Sequence, residues 1–370
     1  MKTNSRSDSR LNSFSSVGLA LALICLLLAA CSSTPPPVDL PPARLQAGIM
    51  AEAASKLTMS ENWAAAARQW RLTAERFAAL NDLVSQAAAL HNLAQAQREL
   101  YGLQSAGSNL LTAAALNIET GQTNAWWRNQ IALIQLAGEN SIPDLSTNLE
   151  SHFSQLSDRI ASQTDPEIKG LFYNEQARWF LRQSNYIQTS HALQRADLAF
   201  ATIQHLTGRA AVAENNARLL LVQFNWIASF QEWANALKTY EALGEMNGIA
   251  RCLEGQGATF LAQGSDLDSA EKLLRRAATN FAMAHRSFEQ CRALDSLIDC
   301  LKKLNKPVTA EQSDLARAHE SCAALMESAG NTSKALEHWR ASLHLWESLN
   351  QSEAATKAAA AVQRCSRIAP

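Results

Sequence analysis

The feature that most narrows the fold is that the chain repeats itself. Asn62-Trp63 is followed by Trp70, Phe77, Leu80 and Asn81; 163 residues later Asn225-Trp226 is followed by Trp233, Tyr240, Leu243 and Gly244. The match continues, with Leu90 and Ala94 falling on Leu253 and Gly257. A third copy at an offset of 269 sets Trp339, Trp346, Leu349 and Asn350 on Trp70, Phe77, Leu80 and Asn81, with Ala335 on Ala66. Weaker copies are Ala106-Gly107-Leu110, and Ala270 with Leu274 and Phe281. Seven residues turn a helix through about 700°, some 20° short of two full turns, so aromatics at this spacing share one face. Such a stripe is expected to be core, because stacked helices need large knobs between them. Asn81, Gly121, Gly208, Gly244 and Asn350 are expected left-handed helix ends. A second helix follows each aromatic one and the unit returns about every 40 residues. The fold class expected is therefore all-α, an α-solenoid of antiparallel helix pairs.

Composition agrees. Alanine fills 66 of 370 positions, and five of the nine prolines fall within 35–42, leaving only Pro143, Pro166 and Pro307 to interrupt 44–369. Ala- and Leu-rich sequence with so little proline favours helix. Apolar residues make up 47%, too many for a disordered chain. A formal charge of −1 excludes nucleic acid as a partner held by broad electrostatic attraction.

The repeats resemble the tetratricopeptide repeat (TPR). In that family the second helix carries an aromatic, a small residue three on, an aromatic seven on and a further small residue. Trp63, Ala66, Trp70 and Thr73 fit this pattern, as do Trp226, Ser229, Trp233 and Ala236 less perfectly. First-helix positions are matched by Leu90, Leu93 and Ala94, by Tyr173, Ala177 and Phe180, and by Leu253, Gly257 and Phe260. The resemblance covers about 44–366, fits poorly across 124–168 and 286–331, and departs from the family in having helices longer than a 34-residue unit allows. It implies a superhelix whose first helices line a concave face that binds peptides or partner helices. Carried over by register, the partner-binding candidates are His91, Asn92, Gln95 and Arg98, then Asn174, Arg178 and Arg182, then Glu254, then Asp295, Asp299 and Lys302. This register places a basic patch near Arg178 and an acidic one near Asp295.

The N-terminus reads as an address. Lys2, Arg6 and Arg10 precede an apolar run from Val17 to Ala30, which as a helix rises only about 21 Å, short of the ~30 Å hydrocarbon core. Residues 1–30 are thus expected to be a signal peptide. Leu28-Ala29-Ala30-Cys31 resembles the bacterial lipobox, which implies that Cys31 becomes the acylated first residue of the mature chain. Several acyl chains suffice for stable anchoring. Ser32 after the cysteine favours, by the same resemblance, the outer membrane, with the body facing the periplasm. Residues 31–43, with Pro35, Pro36, Pro37, Pro41 and Pro42, form an extended tether. Residues 44–366 are the repeat domain.

Catalytic chemistry is not expected. There is no HExxH, GxSxG or P-loop pattern, and the histidines are scattered. No metal site and no cofactor beyond the covalent lipid is called for. Beyond the leader and Cys31 an odd five cysteines remain, Cys252, Cys291, Cys300, Cys322 and Cys365, which argues against a complete disulfide framework and for small buried residues. The expected function is a non-catalytic adaptor docking envelope proteins or peptides. A periplasmic receptor for a peptide or peptidoglycan fragment is the alternative, and a cell-wall hydrolase a more distant one.

Overall fold

The computed structural model describes residues 41–138 and 149–368. Cys31, the leader and most of the proline tether lie outside the described residues. The chain divides into two units, Met1–Gly48 and Ile49–Pro370. Of the first, only the start of a helix is described; everything below concerns the second.

The described residues form sixteen helices and no strand. In order they are α1 Pro42–Met59, α2 Trp63–Ala79, α3 Leu83–Glu99, α4 Leu103–Glu119, α5 Thr123–Gly138, α6 Leu149–Ile160, α7 Pro166–Arg182 and α8 Tyr186–Thr202. Then come α9 Leu206–Val222, α10 Trp226–Leu243, α11 Met246–Gln263, α12 Leu267–Met283, α13 Ser287–Lys303, α14 Thr309–Ser328, α15 Thr332–Ser348 and α16 Ser352–Ile368. Consecutive helices pack antiparallel. The odd-numbered helices from α3 to α13 also touch the next odd one along, building an inner layer. This is the expected all-α solenoid.

Its regularity comes from one turn used repeatedly. A single left-handed residue recurs every twenty positions: Glu61, Asn81, Tyr101 and Gly121 in one run, then Ser184, Gln204, Phe224, Gly244 and Gly264 in a second. At Asn81 the amide of the following Asp82 donates to Phe77 O at 3.0 Å, and Asn81 itself donates to Ala78 O at 3.0 Å. Those two bonds satisfy carbonyls that the helix end would leave bare. Asp82 then serves as N-cap of α3, its carboxylate accepting from the Ser85 amide at 3.2 Å. Asn62, Asn185 and Asn225 cap the next helix in the same way. One residue thus closes one helix and opens the next, so within these runs a helix with its turn spans twenty residues and a helix pair twice that.

The expected helix ends hold at Asn81, Gly121, Gly244 and Asn350. Gly208 is different. It sits in the first turn of α9, where an added Cβ would lie 2.6 Å from the Phe200 ring, and Gln204 is the left-handed residue instead. Close approach, not backbone conformation, accounts for that glycine.

The aromatic stripe is core at two of its three levels. Trp70, Phe77, Trp233, Tyr240 and Trp346 are buried, whereas Trp63, Trp226 and Trp339 are half-exposed. Trp63 and Trp226 open their helices, and Trp63 lines a small recess with Ala94, Leu110 and Leu136. The third copy also needs correction. Trp339 lies on α15, an odd step from α2, so it repeats the local packing without repeating the layer. The local packing does repeat: Trp70 Nε1 donates to Thr58 Oγ1 at 2.9 Å and Trp339 Nε1 to Glu327 Oε1 at 2.5 Å, each partner twelve residues back. In the second copy that place is Leu221, and Trp233 Nε1 has no partner.

Candidate binding cavity

Helices α3, α7, α9, α11 and α13 surround a cavity of about 870 Å³. A sequence rule places the polar groups on its wall. Residues about forty apart occupy equivalent positions on successive inner helices, and their side chains meet. Arg98 donates to Gln135 Oε1 at 3.1 Å, and Gln135 to Glu175 Oε1 at 3.0 Å. Asn215 donates to Asn174 Oδ1 at 2.9 Å, Arg251 to both oxygens of Glu214 at 2.9 and 3.0 Å, and Arg292 to both oxygens of Glu254 at 2.5 and 2.6 Å. Within a helix Arg178 pairs with Glu175 at 3.0 Å and Arg218 with Glu214 at 3.2 Å. A polar ribbon therefore runs along the inner layer from α3 to α13.

Glu214 is its most buried charge, 3% exposed, and also accepts from Tyr240 Oη at 2.6 Å. Burial alone would push its carboxyl up. Arg251, Arg218 and the Tyr240 hydroxyl outweigh that and hold it below the ordinary carboxylate range.

The cavity is closed on one side by contacts between residues nearly 190 apart in sequence. Arg286, the N-cap of α13, pairs with Glu99 at the end of α3. Next to it the Tyr101 and Phe288 rings lie 3.8 Å apart between centroids. Tyr101 Oη reaches Glu289 at 3.5 Å.

Of the candidates read from sequence, the structure brings Arg98, Arg178, Arg182 and Glu254 together on the cavity wall. Asn174 is buried just beneath, in the ribbon. His91 instead bonds Asn129 Oδ1 at 2.6 Å and Gln95 at 2.8 Å, and burial lowers its pKa; Gln95 lines a smaller recess with Arg98, and Asn92 is half-buried outside the cavity. Asp295, Asp299 and Lys302 are exposed and do not line it; α13 turns Glu289, Arg292 and Ser296 to the cavity instead. The acidic end of the anticipated gradient is thus on another face. Sequence reasoning missed Arg218, Arg251, Arg286 and Arg292. The forty-residue step would have found the first, since Arg218 is forty beyond Arg178, as Glu254 is forty beyond Glu214.

The resulting wall carries seven arginines (98, 178, 182, 218, 251, 286 and 292) against three glutamates (99, 254 and 289). Acids bond the guanidinium nitrogens of Arg178, Arg218, Arg251 and Arg292, while the side chains stay partly open: exposure is 34% for Arg178, 37% for Arg218 and 59% for Arg292. Planar guanidinium forks in a concave, partly desolvated setting are suited to carboxylates and phosphates, which they engage through paired hydrogen bonds. Among the described residues no cluster of His, Cys, Asp and Glu has the arrangement of a metal site, and no helix is long and apolar enough to cross a membrane.

No family model matches the sequence, and no curated protein matches it either. Solved structures do. A Rap protein complexed with competence and sporulation factor superimposes with a TM-score of 0.54 at 14% identity, over 87% of this chain and 98% of that one. The TPR2AB domain of yeast Sti1 in complex with pHSP90 gives 0.30 at 15% identity, over 69% and 98%. The TPR domain of P58(IPK) gives 0.22 at 14%, over 86% and 99%. The first of these likenesses shows a shared fold. The chain is an all-α helical-repeat solenoid.

Proposed function

We propose that the chain is a non-catalytic scaffold that captures an acidic segment of a partner protein, or an acidic peptide, in the cavity of its solenoid. The observation that carries this reading is the wall of seven arginines, against three glutamates on the wall and Glu175 and Glu214 beneath it, in a concavity of about 870 Å³. Opposite charge at such a wall speeds encounter and fixes the orientation of what binds. The chain's overall charge of −1 means that this basic character is local to the cavity and is not a property of the whole surface. The carboxylates within reach are already engaged, Glu254 by Arg292 and Glu99 by Arg286, and so favour holding a ligand over acting on one.

The lipobox-like Leu28-Ala29-Ala30-Cys31 and the proline tether support the further reading that the body is anchored through Cys31 to the outer membrane, facing the periplasm, and that its partners are envelope proteins. Two measurements test these parts separately. Capture of envelope partners by immobilised residues 31–370 is expected to fall roughly tenfold or more when Arg178 and Arg182 are both changed to Glu, with the helical circular-dichroism signal retained. Undiminished capture by that variant would remove the cavity from the account. Cys31→Ser in the expressed full chain is expected to move the protein from the membrane to the soluble fraction. A variant still bound to membrane would overturn the lipid anchor while leaving the cavity untouched.

A further inference from the structure

Away from the cavity, α13 and α14 hold two thiols against each other. Cys291 Sγ lies 3.8 Å from Cys322 Sγ and 3.8 Å from His319 Nδ1. His319 Nδ1 is in turn 3.0 Å from His338 Nδ1 on α15. Cys291 is 6% exposed and Cys322 is wholly buried. The remaining described cysteines differ: Cys300 Sγ donates to the Leu267 carbonyl at 3.3 Å and Cys365 Sγ to Glu327 at 3.3 Å, contacts that use the thiol as a weak donor. Cys252 is buried with its thiol pushed up, chiefly by burial. Only at Cys291 do a second sulfur and an imidazole converge among the described residues.

From this geometry we propose that Cys291 and Cys322 form a reactive dithiol which closes to a disulfide between α13 and α14 when a small hydroperoxide reaches it. Closing requires the sulfurs to move from contact distance to about 2.05 Å. The hydrogen bond from Cys322 and the neighbouring His319 hold the Cys291 thiol below its ordinary range against the opposing effect of burial. The same contact, with burial, holds the Cys322 thiol above its own. One sulfur is therefore the nucleophile and the other the resolving thiol, since the thiolate is the reacting species. Burial selects a small oxidant, because a protein disulfide could not approach either sulfur.

The chemistry balances without a metal. The Cys291 thiolate attacks one oxygen of the hydroperoxide. An S–O bond forms, the O–O bond breaks, and the leaving oxygen departs as alcohol or water with the proton that His319 took from Cys291. Sulfur is oxidised to the sulfenic acid and the peroxide is reduced. Cys322 Sγ then attacks Cys291 Sγ. The S–S bond forms, the S–O bond breaks, and hydroxide leaves as water with the Cys322 proton. Two thiols and one hydroperoxide yield one disulfide, one alcohol (or water) and one water. The consequence reaches the cavity, because α13 carries Glu289 and Arg292 on its wall, and the cross-link pins that helix to α14.

The test uses the full chain, reduced with dithiothreitol, exposed to hydrogen peroxide, alkylated and digested with trypsin. Ser287–Arg292 and Ala318–Lys334 are tryptic peptides with one cysteine each, so their linkage is unambiguous. The linked pair is expected to form roughly tenfold or more faster than Cys252, Cys300 or Cys365 is oxidised, and to be released by dithiothreitol. In Cys322→Ser the link is lost, and dimedone traps a sulfenic acid on Cys291. His319→Gln slows the reaction without changing its product. If the folded wild-type chain gives no Cys291–Cys322 peptide, or if the other cysteines oxidise at the same rate, the proposal fails.

Discussion

Replacing Glu214 with Ala is expected to lower the unfolding free energy by about 3 kcal/mol, the lower end of the range for breaking a buried charge pair. The carboxylate is 3% exposed and receives Arg251, Arg218 and the Tyr240 hydroxyl. Its removal takes the carboxylate from Arg251 and the Tyr240 phenol and leaves Arg218 with its bond to Asn215 Oδ1. The loss sits at the lower end because Arg251 and Arg218 keep 34% and 37% of their side-chain surface and can recover some hydration. Arg209→Ala breaks a pair whose members are 52% and 45% exposed and is expected to cost less than about 1 kcal/mol. Urea unfolding of the two variants checks the contrast, and a Glu214→Ala loss no larger than that of Arg209→Ala would show the ribbon to be decoration. The same carboxylate gives an acid dependence. Its folded pKa lies below the ordinary glutamate value of the unfolded chain, so its contribution is full above that value and disappears as pH falls through the folded one. Glu214→Gln is expected to flatten the loss of stability in that acid range.

Gly255→Ala sets two effects against each other. Alanine in a helix interior gains about 1 kcal/mol over glycine by propensity. Here, however, the added Cβ would lie 2.2 Å from Trp233 Cε2 and 2.4 Å from Cζ2. The indole is 2% exposed and sits in one core cluster with Ala210, Ala217, Ala236 and Cys252, so it can yield only toward the cavity that it borders. Overpacking of this kind costs about 1–3 kcal/mol, and with so close an approach to a rigid ring we expect packing to win. The variant should melt at a lower temperature than wild type, with a shifted Trp fluorescence maximum. A Tm at or above the wild-type value would mean that α10 and α11 part easily, contrary to the close packing described. Gly248 stands in the same relation to Tyr240, at 2.3 Å, and is expected to behave alike.

Much of the solenoid was legible because its rule is local. The seven-residue spacing of Trp70 and Phe77, or of Trp233 and Tyr240, fixes a buried face whatever the partner. Turns at Asn81, Gly121 and Gly244 were legible because those residues tolerate the left-handed conformation unaided. Those at Glu61, Tyr101, Gln204 and Phe224 were not. There the paired hydrogen bonds of the helix end and the capping of the next helix impose a conformation that costs about 1–2 kcal/mol for such residues. Trp339 misled because local packing repeats every helix, whereas the layer repeats only every second one.

The cavity was legible in part for a similar reason. Arg178, Arg182 and Glu254 follow from which face of an inner helix looks inward. On α13 the same register pointed to Asp295, Asp299 and Lys302, but Glu289, Arg292 and Ser296 are the residues on the wall. The residue that meets Glu254 is Arg292, 38 positions on, whereas Asp295 lies 41 on, and a slip of three residues turns the side chain to another face. Arg286 reaches the wall through a contact with Glu99, nearly 190 residues away, which no local pattern encodes.

The proposed function holds partners inside the arginine-lined cavity and not on the outer helices. Photo-crosslinking in cells tests it most directly, with a benzophenone amino acid placed at Ala258 or Ser296 on the cavity wall, or at Ile187 or Ile227 on α8 and α10, where the side chains are 71% and 73% exposed. The two cavity positions are expected to give the same crosslinked partner through an acidic stretch of its sequence, and the outer positions are not. Crosslinks from Ile187 or Ile227 with none from Ala258 or Ser296 would contradict it.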